Sequence, residues 1–199
     1  PRAIKLGNLN KVPMPALRER LTERGFGQVR TLLQSGNIVL DSDEPDGERV
    51  AALVRAVMVD AFGVDVPCVV RSPDKIRAVL ALNPLGAVAT DLSRYLVTFL
   101  TAQPSAEAIE RLLATDRLPE AFTIDGHEAY IWAPDGVATL KLTNTVLERK
   151  LGVTGTARNW RTVTAIAALL SRPRLADSSR TTFFDDPDVI ASRQPHGSQ

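Results

Sequence analysis

The pattern of apolar and polar positions predicts a chain of short strands and amphipathic helices. Arg2 to Leu6 is the end of a strand, and Gly7-Asn8-Leu9-Asn10-Lys11 is a polar loop. Pro13 and Pro15 mark a helix entrance. Met14, Leu17 and Leu21 form that helix's apolar stripe, opposite Arg18, Glu19, Arg20 and Glu23. Gly25 stands at the helix stop. Gln28 to Leu33 and Asn37 to Asp41 read as two strands, joined by turn chemistry in Gln34-Ser35-Gly36-Asn37. After the acidic loop from Ser42 to Gly47, a helix over 48–62 buries Val50, Leu53, Val54, Val57, Met58 and Ala61, and Gly63 ends it. Val64 to Arg71 is nearly all apolar, which predicts a strand at the centre of a sheet. Ser72-Pro73-Asp74 starts a short helix through Ile76, Val79 and Leu80, which Asn83-Pro84 closes.

The same order then recurs. Tyr95 to Leu100 is a strand and Ser105 to Ala114 a helix. Ala121 to Ile124 and Glu128 to Trp132 are strands around an Asp125-Gly126 turn. A helix follows over 139–151, stopped by Gly152, then a short strand over 153–156 and a last helix over 159–171. Each half reads strand, helix, hairpin, helix, strand. The predicted fold class is therefore α+β, two tandem ferredoxin-like (split βαβ) halves with extra helices and a C-terminal tail. The expected organisation is a first half over 1–82, a linker over 83–93, a second half with the last helix over 94–174, and a polar tail over 175–199.

Composition narrows the function classes. The chain is 44% hydrophobic and 24% charged, enough apolar side chain for a core. A net charge of +1 gives no whole-molecule field that would draw it to nucleic acid or membrane. The single cysteine, Cys68, excludes an intramolecular disulfide and sits in an apolar run, where an inert thiol is expected. A cytoplasmic location and no membrane partner are expected, since no apolar run approaches the roughly 18 residues of a spanning helix.

Several strings resemble one bacterial family of uncharacterised proteins, the domain of unknown function family numbered 1697. They are Arg2-Ala-Ile-Lys-Leu-Gly with Asn10-Lys11-Val12-Pro13-Met14, then Phe26-Gly-Gln-Val-Arg30-Thr31 with Gln34-Ser35-Gly36-Asn37. Asp65-Val-Pro67 with Arg71-Ser72, and Thr156-Ala-Arg158-Asn159-Trp160 with Thr162-Val163, follow in the family's order. The resemblance spans about residues 2–172 and implies an α+β protein of two related halves. It supplies no activity. It also implies a first strand that runs on before Arg2, hence an edge cut short here. Ala3 replaces the family's Gly, and Arg161 stands where Asn is common. Lys5 replaces an Asn, which puts any ligand role of that Asn in doubt while leaving a cation able to meet an anion.

The densest chemistry lies at Arg158, Asn159, Trp160 and Arg161, expected on the first turn of a helix. Unpaired N–H groups, the helix dipole and two guanidiniums suit an anion, and the indole suits a ring. The alternative is structural: Asn159 or Thr156 caps the helix, Trp160 fills the core and the arginines are solvated. From Lys141 to Ala176 the bases Lys141, Arg149, Lys150, Arg158, Arg161, Arg172 and Arg174 face one acid, Glu148. Such a stripe suits a phosphate backbone, or the acidic segments 41–46 and 185–188. Lys11, Gln34, Ser35 and Asn37 are the polar groups that loops of the first half would add. Residues 7–11 lack the Gly-Lys-Ser/Thr ending of a P-loop. Asp125 and Glu128 flank a turn and are expected to be solvated. His127 and His196 have no neighbouring Cys or paired His, so no metal and no cofactor are expected.

The leading expectation is a binding protein for a phosphorylated small molecule, a nucleotide or a nucleic acid, through Arg158, Asn159, Trp160 and Arg161 with Lys11, Gln34, Ser35 and Asn37. The alternatives are a small enzyme with a cleft between the halves, and an interaction protein that self-associates through an exposed strand edge.

Overall fold

A computed structural model of the chain describes residues 2–6, 12–32, 36–114 and 120–171. The first half contains β1 (Arg2–Leu6), α1 (Met14–Glu23), β2 (Gly27–Leu32), β3 (Asn37–Asp41), α2 (Gly47–Phe62), β4 (Cys68–Arg71) and α3 (Pro73–Leu82). The second contains β5 (Tyr95–Leu100), α4 (Ala106–Leu113), β6 (Ala121–Asp125), β7 (Glu128–Trp132), α5 (Asn144–Leu151), β8 (Gly155–Asn159) and α6 (Trp160–Leu170). The sheet orders are β2-β3-β1-β4 and β6-β7-β5-β8, with every pair antiparallel. Each half is thus a ferredoxin-like unit, and the expected α+β class holds.

Side-chain alternation divides each sheet between two cores. Ile4, Ile38 and Leu40 pack with Met14, Leu17 and Leu21 of α1 and Val50, Val54, Val57 and Met58 of α2. Leu96, Leu100, Ala129 and Ile131 pack with Ala108 and Leu112 of α4 and Leu147 and Leu151 of α5. The opposite faces of the two sheets look at each other. Ala3, Val39 and Val69 meet Tyr95, Val97, Phe99 and Tyr130 there, with Ile76 and Val79 of α3 and Trp160, Val163 and Ile166 of α6. This third core joins the halves, so its seam is where residues far apart in sequence meet.

Local chemistry sets the helix ends. Gly25 at φ +88° follows the Arg24 C-cap of α1, and Gly63 at φ +63° closes α2. Asp46, Ser72, Ser105 and Thr143 each accept a backbone N–H as N-caps of α2, α3, α4 and α5.

Five expectations need correction. The apolar run over 64–71 yields only the four-residue β4, and β4 is an edge strand. Its apolar character comes instead from cover on both faces: Val70 packs toward α2, and Val69 toward the second sheet. β1 is not at an edge, because it pairs with β3 on one side and β4 on the other. The helix expected from 139 begins at Asn144, after a 3-10 turn over Val137–Thr139, because Thr143 caps there. The β6–β7 turn is Gly126-His127, with Gly126 at φ +54°, since Asp125 pairs with Glu128. On α2, Leu53 is exposed because its side of the helix faces away from the sheet.

β2 carries a bulge between Gly27 and Arg30, where Gln28 adopts φ +48°. A left-handed residue with a Cβ is strained by about 1–2 kcal/mol, and glycine gives back part of that in chain entropy. Gln28→Gly is therefore expected to raise stability by about 0.5–1 kcal/mol. Urea unfolding midpoints would measure it, and a lower midpoint would contradict the bulge conformation.

Candidate functional site

Strand register determines which polar groups enter the seam. Lys5 lies opposite Asn37 on β3 and Val69 on β4, so these three share the seam face of the first sheet. Ala3 lies opposite Arg71, which adds Arg71 to that face. In the second sheet Phe99 lies opposite Glu128 and Thr156, and Val97 opposite Arg158. Lys5, Asn37 and Arg71 therefore confront Phe99, Glu128, Thr156 and Arg158.

The contacts are specific. Arg158 Nε donates to Asn37 Oδ1 at 2.6 Å, across 121 positions of sequence. Its Nη1 donates to Thr156 Oγ1 at 2.8 Å and to the Ala157 carbonyl at 2.7 Å. Arg71 Nε meets Glu128 Oε1 at 2.7 Å, and Nη2 donates to the carbonyls of Leu100 at 2.7 Å and His127 at 3.2 Å. Lys5 Nζ sits 3.9 Å from the Phe99 ring centroid and has no hydrogen-bond partner among the described residues. The Lys5 side chain is fully buried, and Asn37, Thr156 and Glu128 are also buried.

Electrostatics follow from that crowding. Burial, then the charges of Arg158 and Arg71, push the Lys5 amine well below the ordinary lysine range, with Glu128 opposing. Burial pulls the Arg158 guanidinium down to about 10, which leaves it charged at neutral pH. Burial pushes the Cys68 thiol up to about 12, the inert thiol its apolar surroundings imply.

The expected cluster of Arg158, Asn159, Trp160 and Arg161 does not occupy one helical turn. β8 pairs with β5 through Asn159, so Arg158 is a strand residue and Asn159 is the N-cap of α6. Asn159 Oδ1 accepts from Thr162 N at 2.9 Å. Trp160 is buried and stacks on Tyr95, with centroids 4.5 Å apart and planes 5° from parallel. Arg161 is exposed and pairs with Asp91 at 3.3 Å. Arg158 joins the seam's polar groups because alternation along β8 sends it inward, whereas Trp160 belongs to the seam's apolar core. Of the first-half residues, Asn37 meets it, while Lys11, Gln34 and Ser35 lie outside the described residues. The basic stripe also divides. Arg149 and Lys150 ride on α5 outside the second sheet, Arg158 enters the seam, and Arg172 and Arg174 are outside the described residues. Glu128, expected in solvent, is buried against Arg71 because the β7 register turns it inward.

Three grooves run along the β4 edge. One of about 480 Å³ is lined by Arg71 and Glu128 together with Arg2, Lys75 and His127. The others, of about 430 and 500 Å³, lie beside Cys68 and Thr101. No group of three His, Cys, Asp or Glu among the described residues could hold a metal ion. No described helix is long and apolar enough to cross a membrane.

The sequence profile of a family described as protein of unknown function (DUF1697) matches residues 2–130. The chain belongs to this family. The fold is similar to that of the conserved bacterial protein SP0830 from Streptococcus pneumoniae, at 19% identity and a TM-score of 0.69. That match covers 86% of this chain and 98% of the other, and at this identity it speaks to fold alone. No curated protein matches.

Sequence reasoning missed Arg71 and Glu128 as partners, because each is an ordinary polar residue at a strand end. The available signal was a cation within an apolar stretch: Lys5 after Ile4, and Arg71 after Val69 and Val70.

Gly155 positions the strand that carries Arg158. A Cβ there would stand 2.8 Å from Thr98 Cγ2, 3.0 Å from Leu100 Cδ2 and 3.1 Å from the Phe99 carbonyl oxygen. Gly155→Ala is expected to lower stability by about 1–3 kcal/mol through overpacking. Thermal and urea unfolding would register it, and an unchanged midpoint would mean that β8 shifts to make room.

Proposed function

We propose that this protein binds a phosphate-bearing ligand, a nucleotide or a phosphorylated small molecule, at the seam between its halves. The observation that carries the reading is the Arg158–Asn37 contact at 2.6 Å. It sets a guanidinium and an amide from opposite halves beside the buried amine of Lys5 and a second guanidinium, Arg71. Guanidiniums and amides held in fixed positions suit oxyanion recognition, because few rotamers remain to be ordered on binding. The gathered groups are two guanidiniums, an amine and an amide, a set suited to holding an anion, so binding is favoured over a small enzyme with a cleft between the halves. Nucleic acid is the less favoured ligand, because the basic stripe divides between opposite sides of the second sheet.

The test is a thermal-shift panel of nucleotides, phosphorylated sugars and short oligonucleotides, run on the whole chain and two variants. Arg158→Gln keeps an amide for Asn37 and removes the charge. Arg161→Ala removes the exposed arginine. A binder raises the melting temperature by mass action. The shift is expected to vanish in Arg158→Gln and persist in Arg161→Ala. A shift that survives Arg158→Gln, or the absence of any shift across the panel, sinks the reading.

A further inference from the structure

β4 is an edge of the first sheet. It pairs with β1 alone, and the register runs unbroken from Cys68 to Arg71. The other edge, β2, is blunted by the bulge at Gln28. In an antiparallel ladder every second residue turns its N–H and C=O away from the partner strand. Among the described residues, no backbone group outside β1 hydrogen-bonds to the β4 backbone. Such an edge is a template for one more strand.

The edge lies on the floor of a groove. The three cavities along it, of about 430, 480 and 500 Å³, are continuous. Cys68 and Thr101 are shared between two of them, and Val70, Arg71 and His127 join these to the third. One wall is the start of α2, with Gly47, Glu48 and Ala51. The other belongs to the second half, with Thr101, His127 and Thr154. α2 stands close, since a Cβ on Gly47 would lie 3.8 Å from Val70 Cγ1. Arg71 holds the second wall in place through its bonds to the Leu100 and His127 carbonyls.

Room and charge decide what fits. Gly47 and Ala51 are small, and Cys68 and Val70 turn to the same side, so the α2 side of an added strand can carry branched apolar residues. The walls also exclude a second folded copy, which would have to bring its own helices and sheet edge between them. Charge is divided along the groove. At the Cys68 end Asp65 pairs with Arg55 and Asp46 with Arg49, which leaves Glu48. At the Arg71 end Arg71 and Glu128 neutralise each other, which leaves Arg2 and Lys75 against Asp125. β4 therefore begins beside an acid and ends beside bases.

We infer that this groove binds an extended segment of another protein, which adds to β4 as an antiparallel strand, with an acidic residue first, a basic residue last and apolar residues at alternate positions between them. Antiparallel addition matches every pair in both sheets. It starts the segment beside Arg2 and Lys75 and ends it beside Glu48. Main-chain bonds to β4 supply affinity, while the alternate side chains and the end charges supply choice. At about 3.3 Å per residue, a segment of about five residues spans β4. The floor of the groove is the outer edge of β4 rather than the seam, so the phosphate reading can fail without touching this one.

Nuclear magnetic resonance on the whole chain tests it with two peptides. One is acetyl-Glu-Val-Thr-Val-Lys-amide. The other, acetyl-Lys-Val-Thr-Val-Glu-amide, has the same composition with the charges exchanged. The first is expected to shift the backbone amide signals of Cys68 to Arg71 saturably at about millimolar concentration, and to slow exchange of the outward-facing amides at least about threefold. Slowed exchange reports new hydrogen bonds, which side-chain contact alone does not make. The second peptide is expected to bind about three- to tenfold more weakly, because two exposed charge pairs turn repulsive. Glu48 and Lys75 are both exposed, so the double variant Glu48→Lys, Lys75→Glu should keep the fold by circular dichroism and reverse the preference. No change at Cys68 to Arg71 with either peptide overturns the inference. So do shifts without slowed exchange, equal affinity for the two peptides, or a preference that survives the charge reversal. Slowing of the same amides by raised protein concentration without peptide would put a second copy on the edge, and overturns it equally.

Discussion

Arg71→Met is expected to destabilise the protein by about 3–5 kcal/mol, the usual penalty for removing one partner of a buried ion pair. Arg71 and Glu128 side chains are only 11% and 10% exposed, so solvent screens their interaction little. Arg71 also spans the halves. It leaves β4 in the first half and reaches the carbonyls of Leu100 and His127 in the second. Methionine fills most of the same volume, so the loss isolates charge and hydrogen bonding from packing. What remains is Glu128 without its cation, beneath two sheets. Neutralising that carboxylate should recover part of the loss. The double variant Arg71→Met, Glu128→Gln is expected to be at least about 1 kcal/mol more stable than Arg71→Met alone. Urea unfolding at neutral pH would measure both. A cost below about 1 kcal/mol for Arg71→Met would place the pair among solvated surface bridges and refute its role in joining the halves.

The fold was legible because it is built from local signals. Gly25, Gly63 and Gly152 end helices, and Asp46 and Ser72 begin them, each by chemistry confined to one turn. The repeated order of elements then led to two ferredoxin-like units. The seam was not legible, because it depends on register between strands that are remote in sequence. Nothing local tells Arg158 that Asn37, on a different sheet, will face it. The stretch around Arg158 reads as the first turn of a helix capped by Asn159 or Thr156. Asn159 is the cap, but the helix begins only at Trp160 and β8 extends through Arg158, which puts Arg158 at an inward-facing strand position instead of a helix terminus. Glu128 was misjudged for a related reason. Placing the β6–β7 turn at Asp125-Gly126 rather than Gly126-His127 hides the pairing of Glu128 with Phe99, and hence its direction.

Lys5→Met is expected to act in the opposite direction to Arg71→Met and to stabilise the ligand-free protein by about 1–3 kcal/mol. Lys5 is fully buried, its Nζ has no hydrogen-bond partner among the described residues, and its neighbours include two guanidiniums. Methionine keeps the length, packs its thioether against Phe99 and removes the desolvated amine. The face of Phe99 offsets part of the penalty when Lys5 is charged, which keeps the gain moderate. The pH dependence carries the sign. The folded-state pKa of Lys5 lies well below its ordinary value, so between the two the unfolded chain binds more protons than the native one. Stability of the unaltered protein then rises with pH across that window, up to about 10.4, the pKa of lysine in an unfolded chain. The penalty is complete below the folded-state pKa and shrinks toward alkaline pH. The advantage of Lys5→Met should therefore be largest near neutrality and narrow as pH approaches about 10. Chemical denaturation of both proteins across that range decides the matter. A variant less stable than the parent at neutral pH, or an advantage that grows with pH, would mean that Lys5 is satisfied in the native seam. If the advantage narrows as expected, a residue that weakens the empty fold stands at its core, which is the pattern expected of a group that serves a ligand rather than stability.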